Sequence, residues 1–147
     1  RKLRATRGSN RVEVDGMAQW RNFENIEPEY FAEMNVHVSA ASYVDRSSEA
    51  ARAFRQAFYD AYGTVPGDDA YNGYDVTLFA GKMLKKYGLS FPQKLASESF
   101  EGLHGAFQFA KVFSSGAIDD RLNEYDYLEN TFVHILKFEN YKFQPVE

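Results

Sequence analysis

Three histidines, His37, His104 and His134, are the residues best suited to hold a metal, and the chain has no cysteine. No two of them are three or four residues apart, the spacing that places two ligands on one helix face. The lack of cysteine excludes thiolate zinc sites, a cysteine nucleophile and a disulfide framework. We therefore predict no metal site and no cofactor, and interpret the histidines as ordinary hydrogen-bonding residues.

Paired carboxylates are the next candidates for chemistry, and they occur at Asp68/Asp69, Glu98/Glu101 and Asp119/Asp120. Acid–base catalysis needs two carboxyl groups in different environments across a cleft. Neighbouring acids on polar turns are more simply helix caps or solvated corners. Neither the GxSxG nucleophile motif nor a GxxxxGK phosphate loop is present. We predict no catalytic residue and a protein that is not an enzyme, with a small α/β enzyme as the less favoured alternative.

A ligand site is predicted at the segment YNGYD, where aromatic, amide and carboxylate side chains gather at a helix start. Free backbone N–H groups at such a start attract anionic groups. The candidate ligand-binding residues are Tyr71, Asn72, Tyr74 and Asp75. The alternative is that both tyrosines pack against a sheet and Asp75 only complements the helix dipole.

Nucleic acid is not a predicted partner, because the formal net charge is -4 and the pI about 5.4. A nucleic-acid-binding domain usually carries a basic face. Phe107 and Phe109 loosely resemble the aromatic strand of an RNA-recognition motif, but core positions explain them more simply. Residues 1–11 are basic, which is typical of a solvated terminus and is also compatible with an electrostatic contact to a phosphate or lipid surface.

Two helices separated by one turn, within residues 47–88, must position the YNGYD segment. Ser47 or Ser48 is suited to cap the first helix, Gly63 to end it in the left-handed conformation, and Pro66 to block its continuation. Asp68 or Asp69 is expected to cap the second helix. An apolar stripe is predicted along the first helix, formed by Ala51, Phe54, Phe58, Ala61 and Tyr62.

The second helix is apolar over a wide arc, which predicts that most of it is buried. The arc consists of Val76, Phe79, Ala80, Met83, Leu84 and Tyr87.

Flanking segments alternate between strand and helix patterns, the order typical of an α/β domain with parallel pairing. We predict strands at 12–14, 35–39, 106–112, 131–139 and 142–146, and helical segments at 17–25, after Pro28 and at 92–100. Asp15-Gly16 is read as the turn that stops the first strand, and Asn140-Tyr141 as the turn of a C-terminal hairpin. The C-terminal third is predicted to be a β-meander beside the α/β part.

The length of 147 residues suits one domain, and 44% hydrophobic with 16% aromatic residues is enough apolar surface for a core. No apolar run approaches the ~18 residues that span a bilayer. Arg1 is not a natural start, so we expect a longer precursor.

The central block resembles the last third of type I periplasmic substrate-binding proteins, the branched-chain amino-acid receptor class of ABC transporters. The segments around Trp20 and at 131–145 are similar to the same family. The central matching residues are Phe54, Phe58, Tyr59, Tyr62-Gly63-Thr64, Pro66, Ala70, Gly73-Tyr74-Asp75, Leu78 and Gly88.

The resemblance implies an α/β fold with a three-layer-like, parallel or mixed sheet and flanking helices. It would be an incomplete portion of a two-lobe periplasmic-binding-protein type I fold with a C-terminal β-hairpin. Residues 1–39 would be second-lobe-like, residues 43–115 first-lobe-like, and residues 116–147 the closing hairpin. A fragment of this kind leaves sheet edges unpaired, so we expect it to self-associate.

By the same resemblance, the chain is expected to be the non-catalytic C-terminal part of a receptor for a small polar ligand such as an amino acid. An ABC permease would be its partner. Its location would be the periplasm or cell envelope, within a longer secreted or lipid-anchored precursor. The alternative is a cell-envelope scaffold or regulatory protein that reuses the receptor fold without transport.

Overall fold

A computed structural model describes residues 2–113 and 125–146. The predicted α/β class is confirmed, because the chain forms two sheets with flanking helices. Contacts divide it into two compact units, one of Arg1–Ser42 with Val133–Glu147 and the other of Tyr43–Phe132. No helix in the described part of the chain is long and apolar enough to cross a membrane.

The first unit contains a four-stranded mixed sheet in the order β1-β2-β6-β7. Its strands are β1 (Val14–Met17), β2 (Val36–Ala40), β6 (His134–Glu139) and β7 (Lys142–Pro145). Strand β1 runs parallel to β2, β6 is antiparallel to β2, and β7 is antiparallel to β6. Its helices are α1 (Lys2–Arg7), a 3₁₀ helix (Ala18–Asn22) and α2 (Pro28–Glu33).

The core of this unit follows from the alternation of β2, which buries Val36, Val38 and Ala40. Leu136 and Phe138 of β6 are also buried, and Phe31 of α2 lies with its ring centre 5.3 Å from that of Phe138.

The predicted C-terminal hairpin is confirmed. Asn140 and Tyr141 have φ of 52° and 62°, the left-handed pair found in tight hairpin turns.

The predicted turn at Asp15-Gly16 is wrong, because both residues lie inside β1 and pair with His37 and Val38. A side chain at position 16 would clash with the Trp20 ring, because a Cβ on Gly16 would lie 2.4 Å from Cε3 of Trp20. A glycine that admits an aromatic ring looks like a turn signal when only the sequence is read.

The second unit contains α3 (Glu49–Tyr62), α4 (Asp68–Tyr87), a second 3₁₀ helix (Gly88–Ser97) and an antiparallel sheet in the order β3-β4-β5. The strands are β3 (Ser99–Glu101), β4 (Ala106–Val112) and β5 (Tyr127–Asn130). The core joins Phe79 and Met83 of α4 to Phe107 of β4, and the Phe79 and Phe107 rings stack at 4.8 Å.

Local end signals of α3 act as predicted. The backbone N–H of Ala51 donates to Oγ of Ser48 at 3.2 Å, and Gly63 ends the helix with φ of 69°. The prediction that Asp68 or Asp69 caps α4 is wrong, since Gly67 is the N-cap and both acids lie in the first helical turn. There they still face the positive end of the helix dipole.

The wide buried arc predicted for α4 is also wrong. The buried residues are Tyr71, Asp75, Phe79 and Met83, a narrow line at every fourth position. Val76 and Leu84 are 47% and 44% exposed, because the described sheet and 3₁₀ helix cover only one side of α4.

Two further predictions for the C-terminal half need correction. Residues 92–100 form the end of the 3₁₀ helix and the start of β3, with Pro92 inside the helix. The single β-meander is wrong, because β4 and β5 lie in one sheet while β6 and β7 lie in the other. Strand β6 begins at His134 and pairs with β2. This pairing is favoured because it buries Leu136 and Phe138.

Candidate functional site

Helix α4 positions all four predicted ligand residues within its first two turns. Positions 71 and 75 fall on one face because a helix repeats every 3.6 residues, and the structure buries Tyr71 and Asp75 completely. Asn72 and Tyr74 lie at the surface, with Tyr74 42% exposed. The structure therefore brings Tyr71 and Asp75 together in the interior and sets the other two outside it.

The buried carboxylate of Asp75 holds the turn between β3 and β4. Its Oδ2 accepts a hydrogen bond from the backbone N–H of His104 at 2.8 Å, and Nδ1 of the same imidazole contacts the same oxygen. The turn is closed by the N–H of Gly102, which donates to the carbonyl of Gly105 at 2.8 Å. Beyond it, the His104 carbonyl accepts from the N–H of Tyr43 at 2.8 Å. His104 thus joins three separate segments of this unit.

Gly102 is required by the closeness of Asp75 to the turn. A Cβ on Gly102 would lie 2.3 Å from Oδ2 and 2.5 Å from Cγ of Asp75. Real Cβ atoms do not approach so closely, so only glycine leaves room for the buried carboxylate here.

Two buried polar atoms on the same face of α4 have no hydrogen-bond partner among the described residues: the hydroxyl of Tyr71 and Oδ1 of Asp75. Buried polar groups in native proteins are nearly always satisfied, so such atoms require an explanation. A carboxylate oxygen accepts hydrogen bonds, and a phenol both donates and accepts. A donor-rich group such as an ammonium or a water molecule matches this pair.

The ring of Tyr71 is held from two sides within the second unit. Its centre lies 4.8 Å from that of Phe54 on α3, and the Arg46 guanidinium lies 5.7 Å away. That guanidinium also donates to Oδ1 of Asp68 at 2.7 Å. The aromatic and cationic contacts explain why Tyr71 is oriented inward.

An open cavity of about 750 Å³ lies on the outer side of α3 and α4, and Tyr74 is the only predicted site residue that lines it. The α3 lining consists of Phe54, Ala57, Phe58 and Tyr62; that of α4 consists of Ala70, Gly73, Tyr74, Thr77, Leu78, Gly81, Lys82 and Lys85. We call this cavity the α3–α4 groove.

Glu98 interacts with the end of α4. Its Oε1 accepts from Nζ of Lys86 at 2.8 Å and from the hydroxyl of Tyr87. The Lys86 hydrogen bond first, and the Tyr87 hydrogen bond second, lower the pKa of Glu98. The hydrogen bond that Lys86 donates to Glu98 in turn raises the pKa of Lys86. The lowered pKa of Glu98 and the raised pKa of Lys86 both favour the charged forms of the two side chains.

One member of each carboxylate pair at Asp68/Asp69 and Glu98/Glu101 is engaged in an ion pair. Asp68 is paired with Arg46, and Glu98 with Lys86. Asp119 and Asp120 lie outside the described residues. No group of three or more His, Asp or Glu side chains in residues 2–113 and 125–146 is arranged to hold a metal ion.

The interaction that sequence reasoning missed is the contact between Asp75 and His104. The two residues are 29 positions apart, on a helix and a turn, and no local pattern links them. The nearest sequence signal is the pair Gly102 and Gly105, which bracket the histidine.

No family model matches the sequence, and no curated protein matches it. Among solved structures, the chain is similar to an ABC transporter substrate-binding protein from Desulfitobacterium hafniense in complex with Leu. The identity is 21%, the match covers 95% of this chain and 36% of that chain, and the TM-score is 0.43. The chain therefore spans about a third of the length of that protein, and a likeness at this TM-score supports no conclusion about function.

Proposed function

We propose that the chain is a non-catalytic ligand-binding module, the C-terminal part of a two-lobe periplasmic-type receptor for a small polar ligand such as an amino acid. The observation that carries the proposal is the path of the chain. One compact unit is built from two separate segments, Arg1–Ser42 and Val133–Glu147, with the other unit between them in sequence. A receptor whose lobes are joined by several crossing strands requires a chain that leaves one lobe and returns to it.

Within this proposal, residues 1–39 are second-lobe-like, residues 43–115 are first-lobe-like, and the closing hairpin of the C-terminal segment is formed by β6 and β7, while β5 pairs with β4. The sequence motifs that support the assignment lie mainly in α3 and α4. The left-handed Gly63 and the buried Pro66 between these helices are the local features that give the motif its spacing.

We propose Tyr71, Asn72, Tyr74 and Asp75 as the residues of this chain that contact the ligand. Support comes from the buried Tyr71 hydroxyl and Asp75 Oδ1, two atoms suited to accept hydrogen bonds from an ammonium group. Asn72 and Tyr74 offer an exposed amide and ring on the outer face of the same stretch of α4.

Thermal-shift measurements of the full receptor against amino acids test the proposal. A ligand that binds only the folded state, present at 100 times its dissociation constant, adds about 2.7 kcal/mol to stability. We expect a shift with at least one amino acid, and a smaller shift in Asp75→Asn. If no amino acid stabilises the native protein, the receptor proposal fails and the cell-envelope scaffold or regulatory protein takes its place. The isolated chain is expected to bind weakly.

The proposed function also implies a partner and a cellular location. The receptor would work with an ABC permease in the periplasm or cell envelope, as part of a secreted or lipid-anchored precursor. A permease gene beside the parent gene would favour transport. A signal or lipoprotein sequence without that neighbour would favour the scaffold.

Self-association of the isolated chain belongs to the same proposal. The edge strands of the two described sheets are β1, β7, β3 and β5, and each leaves one row of backbone groups outside the sheet. Such edges template pairing with another chain, although strands of three or four residues limit it. Size-exclusion chromatography with light scattering measures the mass, and a strictly monomeric chain at high concentration would contradict this part.

A further inference from the structure

The α3–α4 groove is apolar along most of its lining and lies within one unit of the chain. Tyr62 and Tyr74 are 71% and 42% exposed, and Phe54 brings its ring to 4.7 Å from that of Tyr74. Gly81 leaves open space, since a Cβ there would meet nothing within 4 Å. An exposed apolar concavity of this kind is unusual on a protein surface unless something binds there.

Charge in the groove is cationic and one-sided. Lys82 and Lys85 are one turn apart on α4, and no described residue lining the groove is acidic. The chain as a whole has more acidic residues, 21, than basic residues, 17. The groove has the opposite balance, with two lysines and no acidic residue in its described lining. The Lys82 ammonium lies 4.6 Å from the centre of the Phe100 ring of β3, which is not part of the groove lining, so Lys82 stands at the border between the groove and the sheet side of α4.

Size points to a small molecule. Ligand pockets of proteins have volumes of roughly 300–1,000 Å³, with apolar walls and few polar groups that fix orientation. The volume of about 750 Å³ is within this range, and the polar side chains of the lining are Lys82, Lys85, Thr77 and the phenols of Tyr62 and Tyr74.

We propose that the groove binds a monocarboxylate with an apolar chain, whose carboxylate lies at Lys82 and Lys85 and whose chain lies among Phe54, Phe58 and Leu78. A zwitterionic amino acid fits less well, because its ammonium would lie beside the ammonium groups of Lys82 and Lys85 with no carboxylate in the lining to pair with. The groove is therefore a site of different specificity from the proposed receptor site, and it is tested on the 147-residue chain by itself.

Isothermal titration of the 147-residue chain with decanoate tests the groove. We expect saturable binding, with octanoate about fourfold weaker because two partly buried methylenes are missing. Decanol and 2-aminodecanoate should both bind more weakly than decanoate. Absence of binding, or equal affinity for 2-aminodecanoate and decanoate, would overturn the proposal.

A matched pair of substitutions on α3 locates the site. Ala53 and Ala57 are both exposed, and only Ala57 lines the groove. We expect Ala57→Leu to weaken decanoate binding at least tenfold by filling the groove, and Ala53→Leu to change it less than twofold. Circular dichroism checks that both variants keep the native helix content. Equal affinities in the two folded variants would contradict the site.

Replacing both lysines gives a second measurement that does not depend on filling the groove. The double change Lys82→Gln with Lys85→Gln should weaken decanoate about fivefold and leave decanol within twofold, because exposed ion pairs contribute little each. If the native chain instead forms dimers that Ala57→Leu alone dissociates, and decanoate does not bind, the groove is an interface between copies and the ligand proposal is wrong.

Discussion

Asp75 is the residue on which the interior of the second unit depends. Its Oδ2 accepts from the backbone N–H of His104 and contacts the imidazole, and the Asp75 side chain is fully buried. We predict that Asp75→Ala lowers the free energy of unfolding by about 3 kcal/mol, because it removes the carboxylate that both the backbone N–H and the imidazole of His104 contact. Asp75→Asn keeps one acceptor for the N–H and should cost about 1 kcal/mol.

Urea unfolding measures both changes. The control is Asp60→Ala, which removes an exposed carboxylate bonded to Gln56 and should stay within about 0.5 kcal/mol of the native chain. If Asp75→Ala is no more costly than Asp60→Ala, the Asp75–His104 contact does not hold the turn.

Gly102 and Gly81 should respond to alanine with opposite signs. At Gly102 the new Cβ would lie 2.3 Å from Oδ2 of Asp75, so Gly102→Ala must displace the carboxylate and should cost about 2 kcal/mol. At Gly81, inside α4, the Cβ meets nothing within 4 Å, and Gly81→Ala should add up to about 1 kcal/mol through helix propensity. Thermal melts of the two variants compare them, and two shifts of the same sign would contradict the steric reading.

Local sequence signals gave the residue-level features that depend on a few neighbours. Ser48 caps α3 and Gly63 ends it because both roles are decided within one helical turn. Local signals could not show whether Tyr71 and Asp75 pack in the interior or contact a ligand. The answer depends on His104 and Phe54, which reach them from other elements.

At the level of elements, periodicity predicted where helices and strands lie better than what covers them. The sequence of α4 shows apolar residues around much of its circumference. Only the line through Phe79 and Met83 meets the sheet, while Leu84 stays 44% exposed. Strand pairing could not be predicted either, because the sequence pattern of β6 does not indicate that its partner is β2, about a hundred residues earlier.

The end of α4 is joined to the segment before β3 by the Lys86–Glu98–Tyr87 contacts, and these make part of the stability depend on pH. The pKa of Glu98 is lower in the folded chain than its ordinary value of 4.5. Its contribution is therefore present above the unfolded pKa and is lost as the pH falls through the folded pKa. The pKa of Lys86 is raised, so its contribution is present below the unfolded value and is lost as the pH rises through the folded one.

We predict that Glu98→Gln lowers the free energy of unfolding at neutral pH and that this difference from the native chain disappears in acid, below the lowered pKa of Glu98. Urea titrations at a series of pH values measure it. Glu101→Gln, on the exposed face of β3, is the control and should show no comparable difference. A Glu98→Gln effect that persists unchanged in strong acid would show that the ion pair is not its source.

For the whole molecule, composition and element order were enough to predict the α/β class. They were not enough to predict that the sheet strands divide between two units. That division depends on which strand the returning chain joins. The lobe assignment drawn from the family resemblance remains a prediction.

The last segment of the chain supplies Leu136 and Phe138, two of the seven buried hydrophobic residues described in the first unit, together with the strand that pairs with β2. Its removal should therefore unfold that unit selectively. Strand β2 would keep only β1 as a neighbour, and Phe31 would lose Phe138 and Phe143, whose ring centres lie 5.3 and 5.6 Å from it. An isolated two-stranded pairing is marginal in water. The second unit keeps its own core of Phe79, Met83 and Phe107.

We predict that a chain ending at Phe132 loses amide protection throughout β2 and retains it in α4 and β4. Hydrogen exchange followed by NMR reads each element separately. A chain ending at Asn140 is the control: it keeps β6 against β2 and should retain partial protection in β2. Loss of protection in α4 on truncation at Phe132 would mean that the two units share one cooperative unfolding transition. Full protection of β2 would mean that β6 is not the neighbour that stabilises it.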